Sequence, residues 1–184
     1  MTQDILALYE AAVDELPPLT RLVFLLHRVD DLSYQQIADR LTITTQAVEC
    51  CIAEALVMIR AFVDGETPRR WRREPLAQAE IQLRQRHRGY CERRLRLLRI
   101  RIIWDDDGDD DKAVSQIMVE AMPPRIREAY TLHYTNQLTY AQSSARVETF
   151  QWVERWRLLR VTGYLALWPK TFEEWLCSTA LSHG

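Results

Sequence analysis

Glycine is scarce in this chain of 184 residues, with five in all, and little of the punctuation that strands and hairpins need is present. Cysteine occurs four times, as Cys50, Cys51, Cys91 and Cys177, with no Cys-x-x-Cys pair and too little histidine nearby to build a zinc site. Adjacent cysteines such as Cys50 and Cys51 rarely bridge each other, so all four read as reduced thiols of a cytoplasmic protein. No apolar run approaches the roughly 18 residues that cross a bilayer. The start of the chain has no basic stretch followed by an apolar core, so no signal peptide is expected. A glycine-rich phosphate loop, a nucleophile motif and paired metal ligands are also missing. Neither an enzyme, nor a cofactor, a metal or a small-molecule substrate is therefore expected.

What the chain does have is 47% hydrophobic residues, enough for a packed core, and a preponderance of Leu, Ala, Arg and Glu. That composition points to an all-α protein. The net charge of -2 hides a strong asymmetry. Residues 1–66 hold four Arg against eleven acids, and residues 67–103 hold twelve Arg against three Glu. Residues 105–111 add six Asp.

The organising stretch is 33–60. Ser33 followed by Gln36 forms a capping box for one helix. Thr44 can cap a second helix. Leu41 and Ile43 between them can pin the turn. In the second helix Val48, Ile52, Ala55, Leu56, Ile59 and Val63 form an apolar stripe at three-to-four spacing. Gln46, Glu49, Cys50, Ala53 and Glu54 are expected on the opposite face. This is the pattern of a helix-turn-helix. Helices are also expected over 4–16, with Ile5, Leu8 and Ala12 inward, and over 18–28, with Leu22, Phe24, Leu25 and Leu26 packed. Pro17-Pro18 separates them.

Leu16-Pro17-Pro18, the run from Val23 to Asp30, and Leu32-Ser33-Tyr34-Gln35-Gln36-Ile37-Ala38 together resemble region 4 of the sigma-70 family. The likeness is greatest to extracytoplasmic-function sigma factors of the iron-citrate signalling type, and it covers about residues 10–63. The resemblance implies that the second helix reads a promoter -35 element and that the lobe docks on the RNA polymerase β subunit. Two departures stand out. Thr42 occupies the turn position where the family usually has glycine. Cys50, Cys51 and Glu54 stand where it usually has cations. Phosphate contacts need cations, so an acidic reading helix is expected to be repelled by a duplex.

Residues 67–75 form a basic, proline-bounded linker containing Arg69, Arg70, Trp71, Arg72 and Arg73. A long Arg-rich helix is expected over 76–103. It can grip phosphates, with cation–π help from Trp71, or be a solvated connector. The Asp run that follows reads as a disordered like-charge loop, without the ligand ladder of a calcium site.

The second half then repeats the first. A shift of 106 residues carries Pro17-Pro18 onto Pro123-Pro124, Leu26-His27 onto Leu132-His133, and Leu32, Tyr34 and Gln36 onto Leu138, Tyr140 and Gln142. After a one-residue deletion in the turn, Thr44, Gln46 and Val48-Glu49 fall on Thr149, Gln151 and Val153-Glu154. Residues 113–168 therefore read as a more worn helix-turn-helix lobe, with Ser143-Ser144 weakening its core. Its second turn helix carries Arg155, Arg157 and Arg160 outside, with Arg146 just before it. Trp152 and Trp156 read as core or interface anchors rather than base readers. Thr171 and Glu174 cap a last amphipathic helix that is expected to pack on this lobe. The expected organisation is a first lobe over 1–66, a linker helix and Asp loop over 67–111, and a second lobe over 112–184.

Two functions follow. One is a sigma-like transcription regulator acting on promoter-type double-stranded DNA. Its candidate contacts are Ser33, Tyr34, Thr44, Thr45, Gln46, Glu49 and Cys50, the linker Arg69, Arg70, Arg72 and Arg73, and Arg146, Gln151, Arg155 and Arg157. No segment resembling region 2 is visible. The other is a protein-interaction module that binds RNA polymerase or an anti-sigma factor without reading DNA.

Overall fold

The computed structural model describes residues 2–71, 73–105 and 108–181, and side chains from residue 6 onward. Ten α-helices and one π-helical segment form among them, with no strand. The protein is all-α. In order the helices are α1 (Thr2–Asp14), α2 (Pro18–Arg28), α3 (Tyr34–Leu41), α4 (Thr45–Val63) and α5 (Glu74–Leu97). There follow α6 (Asp110–Ala121), α7 (Pro124–Tyr130) continued by the π-helical Thr131–Thr135, α8 (Tyr140–Arg146), α9 (Gln151–Leu165) and α10 (Phe172–Leu181). The chain divides into two compact units. One comprises the described residues of Met1–His87 and Thr171–Gly184, the other those of Arg88–Lys170.

The first unit is built on α4, which packs against α1, α2 and α3. Ala12 and Leu16 meet Ala55, Met58 and Ile59, with Phe24 and Phe62 against them. Val48, Ile52, Ala55 and Ile59 of the expected stripe are buried, but Leu56 is half exposed. Leu8 and Leu25, expected inward, are also exposed, and Leu19, Thr20 and Val23 are buried in their stead. Ile5 lies outside the described side chains. The opening of α5 adds Leu76, Ala79 and Leu83 to the buried set. The capping-box helix α10 belongs to this unit and not to the second lobe as expected. It packs on α2 and α3, and Arg21 bonds Glu173. Buried His87 meets the rings of Phe172 and Trp175, each at 5.5 Å.

Among its described residues the second unit shows two apolar clusters. Cys91 and Leu95 of α5 pack on Val114 and Met118 of α6, and Ile100, Ile102 and Trp104 join them. Met122, Ile126 and Ala129 pack on Val161 of α9. The long helix expected to reach residue 103 stops at Leu97. Arg99 takes a left-handed φ of 60°, and the Ile100 N–H donates to the Leu95 carbonyl, closing a Schellman-type end. Beyond it Ile100, Ile102 and Trp104 alternate with exposed Arg101 and Ile103, an extended period of two rather than a helical one. The end of the Asp run is anchored. Asp109 caps α6 by accepting from the amides of Asp111 and Lys112, and buried Asp110 takes two 3.0 Å bonds from Arg88. Asp106 and Asp107 lie outside the described residues.

Local geometry recurs at the 106-residue offset. Helices begin at Pro18 and Pro124, Tyr34 and Tyr140, Thr45 and Gln151. Left-handed residues fall at Asp31 and Gln137, and at Thr42 and Glu148. Arg21 donates to the Asp14 carbonyl as Arg127 does to that of Glu120. The offset persists through the turn, so the expected deletion there is not present. Phe150, without a side-chain cap bond, stands where Thr44 caps α4, in place of the expected Thr149.

Candidate nucleic-acid interface

The turn between α3 and α4 is fixed by side chains that the sequence places at its edges. The Ser33 hydroxyl accepts from the Gln36 amide at 3.3 Å, and the Gln36 side chain accepts from the Ser33 amide at 2.8 Å. Each such cap contributes about 1 kcal/mol. Thr42 then turns the chain with φ 54° and ψ 53°. A β-branched residue rarely adopts this left-handed conformation. It is held because the Ile43 amide reaches back to the Ala38 carbonyl at 3.0 Å, while Leu41 is fully buried. Thr44 accepts from the Ala47 amide at 3.2 Å and starts α4. His27 bonds the Leu32 carbonyl at 2.9 Å and sets its ring edge against Tyr34 at 5.0 Å, so both rings are positioned from behind.

This geometry leaves the first turn of α4 open on one side. Gln46 and Glu49 are exposed, and Thr45 donates to the Gln35 side chain at 3.2 Å. Ser33 and Thr44 are exposed beside them, and Tyr34 is half-buried. A shallow groove of about 250 Å³ runs between Thr44 and Gln46 and the start of α5, where Glu74, Gln78 and Gln82 line it. Among the lining residues there is no cation.

Three expectations about α4 and the linker are corrected. Cys50, expected outward, is buried, and so is Cys51. Burial pushes the Cys51 thiol up, and the charges of Glu54 and Glu80 push it further. Glu54, also expected outward, is fully buried. It accepts from the Thr20 hydroxyl at 2.6 Å and from the Trp71 amide at 3.0 Å. Arg70, expected to be free for phosphate, lies 3.6 Å from Glu54 and bonds Glu80. Burial works against the Arg70 charge, but Glu80 and then Glu54 outweigh it and raise the guanidinium pKa. The buried acid thus fastens the basic linker to α4, and α4 presents less acid than its sequence suggests. Arg73 lies 3.7 Å over the Trp71 ring, Arg69 is exposed, and Arg72 lies outside the described residues. The α5 cations of this unit are also engaged. Arg84 stacks on Phe172, and Arg86 stacks on Trp175 and donates to the Leu41 carbonyl at 2.6 Å.

The Glu54 node was missed because only one stripe of α4 was sought. Its signal was there: small Ala47, Cys50 and Cys51 flank Glu54 on a second side of the helix, where close packing against α5 is possible.

In the second unit Arg146, Gln151 and Arg155 are exposed. Arg157, expected outward, is mostly buried against Glu154, which is itself fully buried. Ser143 and Ser144 are buried but satisfied, the former by His133 at 2.9 Å and the Thr139 carbonyl at 2.8 Å. Trp152 and Trp156, read as core or interface anchors, are not core: they are 69% and 54% exposed.

Two side-chain-capped helices about a left-handed turn, the second with an open first turn, define the helix-turn-helix class of DNA-binding domains. Residues 6–58 match the family model described as Sigma-70, region 4. At the level of that family the domain is a transcription-factor domain, not a catalytic one, and binds the -35 element and the RNA polymerase core in transcription initiation. Residues 59–184 lie outside the match. No curated protein and no solved structure matches the chain. Among the described residues no helix is long and apolar enough to cross a membrane.

Proposed function

We propose that the protein is a sigma-like regulator of transcription initiation that reads duplex DNA with the first turn of α4. The observation that carries this reading is the open edge of Thr45, Gln46 and Glu49 on a doubly capped turn inside the family-matched segment. Gln46 can pair with adenine, and Glu49 can accept from the cytosine amine. Ser33, Tyr34 and Thr44 border that edge as hydroxyl donors to phosphate. Cations for affinity come from Arg69 and Arg73 of the linker, both exposed. The second lobe is a worn tandem copy of the first, as the 106-residue recurrence of caps, turns and prolines supports. Promoter-type duplexes titrated against the full chain test this. Affinity should fall steeply between 50 and 200 mM salt, and Arg69→Gln with Arg73→Gln should reduce the salt slope by about two. Absence of duplex binding at low salt would refute it.

A second reading is favoured by a different surface of the first unit. An apolar groove of about 650 Å³ lies between α1, α2 and α4, lined by Tyr9, Val13, Phe24, Leu25, Leu56 and Ile59. It suits an apolar helix of a protein partner, RNA polymerase or an anti-sigma factor. Under this reading Leu25→Asp with Leu56→Asp abolishes capture of such a partner and leaves duplex affinity unchanged. Loss of both together would count against it.

A further inference from the structure

We propose that the exposed face of α9 is a stacking platform for single-stranded nucleic acid. This is a site and a ligand form separate from the duplex reading of α4. Trp152 and Trp156 stand one helical turn apart, about 6 Å along the axis, and Leu159 continues their stripe. All three are more than half exposed. Phe150, 71% exposed, lies nearly parallel to Trp152, with ring centres 6.4 Å apart and planes inclined by 15°. Arginines border the stripe on both sides. Arg155 lies on one flank, and Arg160 on the other, its guanidinium 5.2 Å from the Trp156 ring centre. The one acid of α9, Glu154, is buried and neutralised by Arg157. Among the described residues Arg146 and Arg155 have no ion-pair partner.

Four exposed large apolar side chains on a 15-residue helix and its cap cost solvation, and their chemistry selects what can cover them. Indole and phenyl faces with interleaved guanidinium groups match bases and phosphates. A duplex cannot use them, because its base faces are already stacked on one another; an unpaired strand can. A groove of about 610 Å³ opens on the Arg155 side, lined by Tyr134, Leu138, Tyr140 and Leu159 among others. It gives a splayed base an aromatic-walled recess next to a cation.

The test uses the full chain and fluorescence anisotropy of end-labelled dT20, rU20 and a 20-base-pair duplex at 50 mM salt. Binding of either single strand supports the proposal, and the tighter of the two names the sugar. Trp152→Ala with Trp156→Ala should weaken single-strand binding by about 5- to 150-fold, the range for losing one stacked base. Trp152→Phe with Trp156→Phe should retain most of it, and neither pair should move duplex affinity. Arg69→Gln with Arg73→Gln, which weakens duplex binding under the α4 reading, should leave the single-strand platform intact. Because the two indoles are exposed, far-UV circular dichroism of the alanine pair should match wild type. Phe150→Ala with Arg155→Gln is an independent second variant, expected to show the same loss. The proposal is overturned if neither single strand binds, or if both the alanine pair and the second variant bind as wild type does. It is equally overturned if these changes alter self-association in sedimentation and not oligonucleotide affinity.

Discussion

Replacing Glu54 by alanine should be among the most damaging single changes in the first unit, although its place on α4 suggests a solvent-facing residue. The carboxylate is fully buried and holds three groups from three parts of the chain: the Thr20 hydroxyl, the Trp71 amide and the Arg70 guanidinium. Hydrogen bonds to a charged group are worth about 1.5–3 kcal/mol each, and an orphaned buried donor costs about 1–3 kcal/mol. Arg70 is one-third exposed and keeps Glu80, so its share is screened to about 1 kcal/mol or less. Together these give a loss of about 3–5 kcal/mol for Glu54→Ala. Thr20→Val leaves the carboxylate with its other partners and should cost about 1–2 kcal/mol. The pair Thr20→Val with Glu54→Leu removes donor and acceptor together, so it should be less damaging than the sum of its parts by at least about 1 kcal/mol. Urea unfolding followed by far-UV circular dichroism measures all of these. A Glu54→Ala protein within about 0.5 kcal/mol of wild type, as for an ordinary surface position, would refute the buried node and with it the fastening of the linker.

Two further outcomes follow from local geometry. Thr42→Gly should stabilise the protein by about 1 kcal/mol, since relief of a left-handed β-branched residue outweighs the added freedom of the unfolded chain; a lower urea midpoint would contradict the strain. Among the cysteines only Cys177 is exposed, so a thiol reagent should modify it first in the native state, and Cys50, Cys51 and Cys91 only on unfolding. Burial, then Glu173, raises the Cys177 thiol, so its reaction should still be accelerating above pH 9. Burial, then Asp111 and Asp110, pushes the Cys91 thiol up to about 12 from an ordinary 9.0. The unfolded chain therefore loses this proton first, and stability should fall as pH rises from about 9 towards 12. Cys91→Ala should make that alkaline limb shallower without abolishing it, because the raised Cys51 thiol contributes over the same range, and an unchanged limb would remove Cys91 as a source.

The local signals in the sequence were strong where one residue type does one job. Ser33 with Gln36, and Thr44, satisfy backbone groups within a turn of themselves, and Pro18 and Pro124 lack the amide that a first turn leaves unpaired, so their roles can be read without knowing the fold. Thr42 was legible only through the resemblance, which sets it where the family usually has glycine; a threonine by itself gives no sign of the left-handed φ it adopts. What could not be read was which side of a helix a distant segment covers. Glu54 is charged, and only the approach of residues 70–80 makes burial favourable for it. The arginines of 67–103 looked like one cationic surface, yet Arg70 neutralises a buried acid, Arg84 and Arg86 cover aromatic rings of α10, and Arg88 holds Asp110. Composition counts charges; contacts decide how many remain for a ligand.

The same distinction separates the two turn helices. Keeping the 106-residue offset through the turn sets Glu154 opposite Val48 and Arg157 opposite Cys51. Two buried apolar or small positions of α4 thus correspond to a buried ion pair in α9. A deletion would instead have matched Glu154 with the exposed Glu49 and left the burial pattern unexplained. The offset also sets Trp152 opposite Gln46 and Trp156 opposite Cys50. On the open edge of α4, Gln46 thus has the aromatic face of Trp152 as its counterpart, whereas exposed Trp156 stands where Cys50 is buried. Under the two proposals, this exchange of surface chemistry at one offset would direct α4 to duplex DNA and α9 to an unpaired strand.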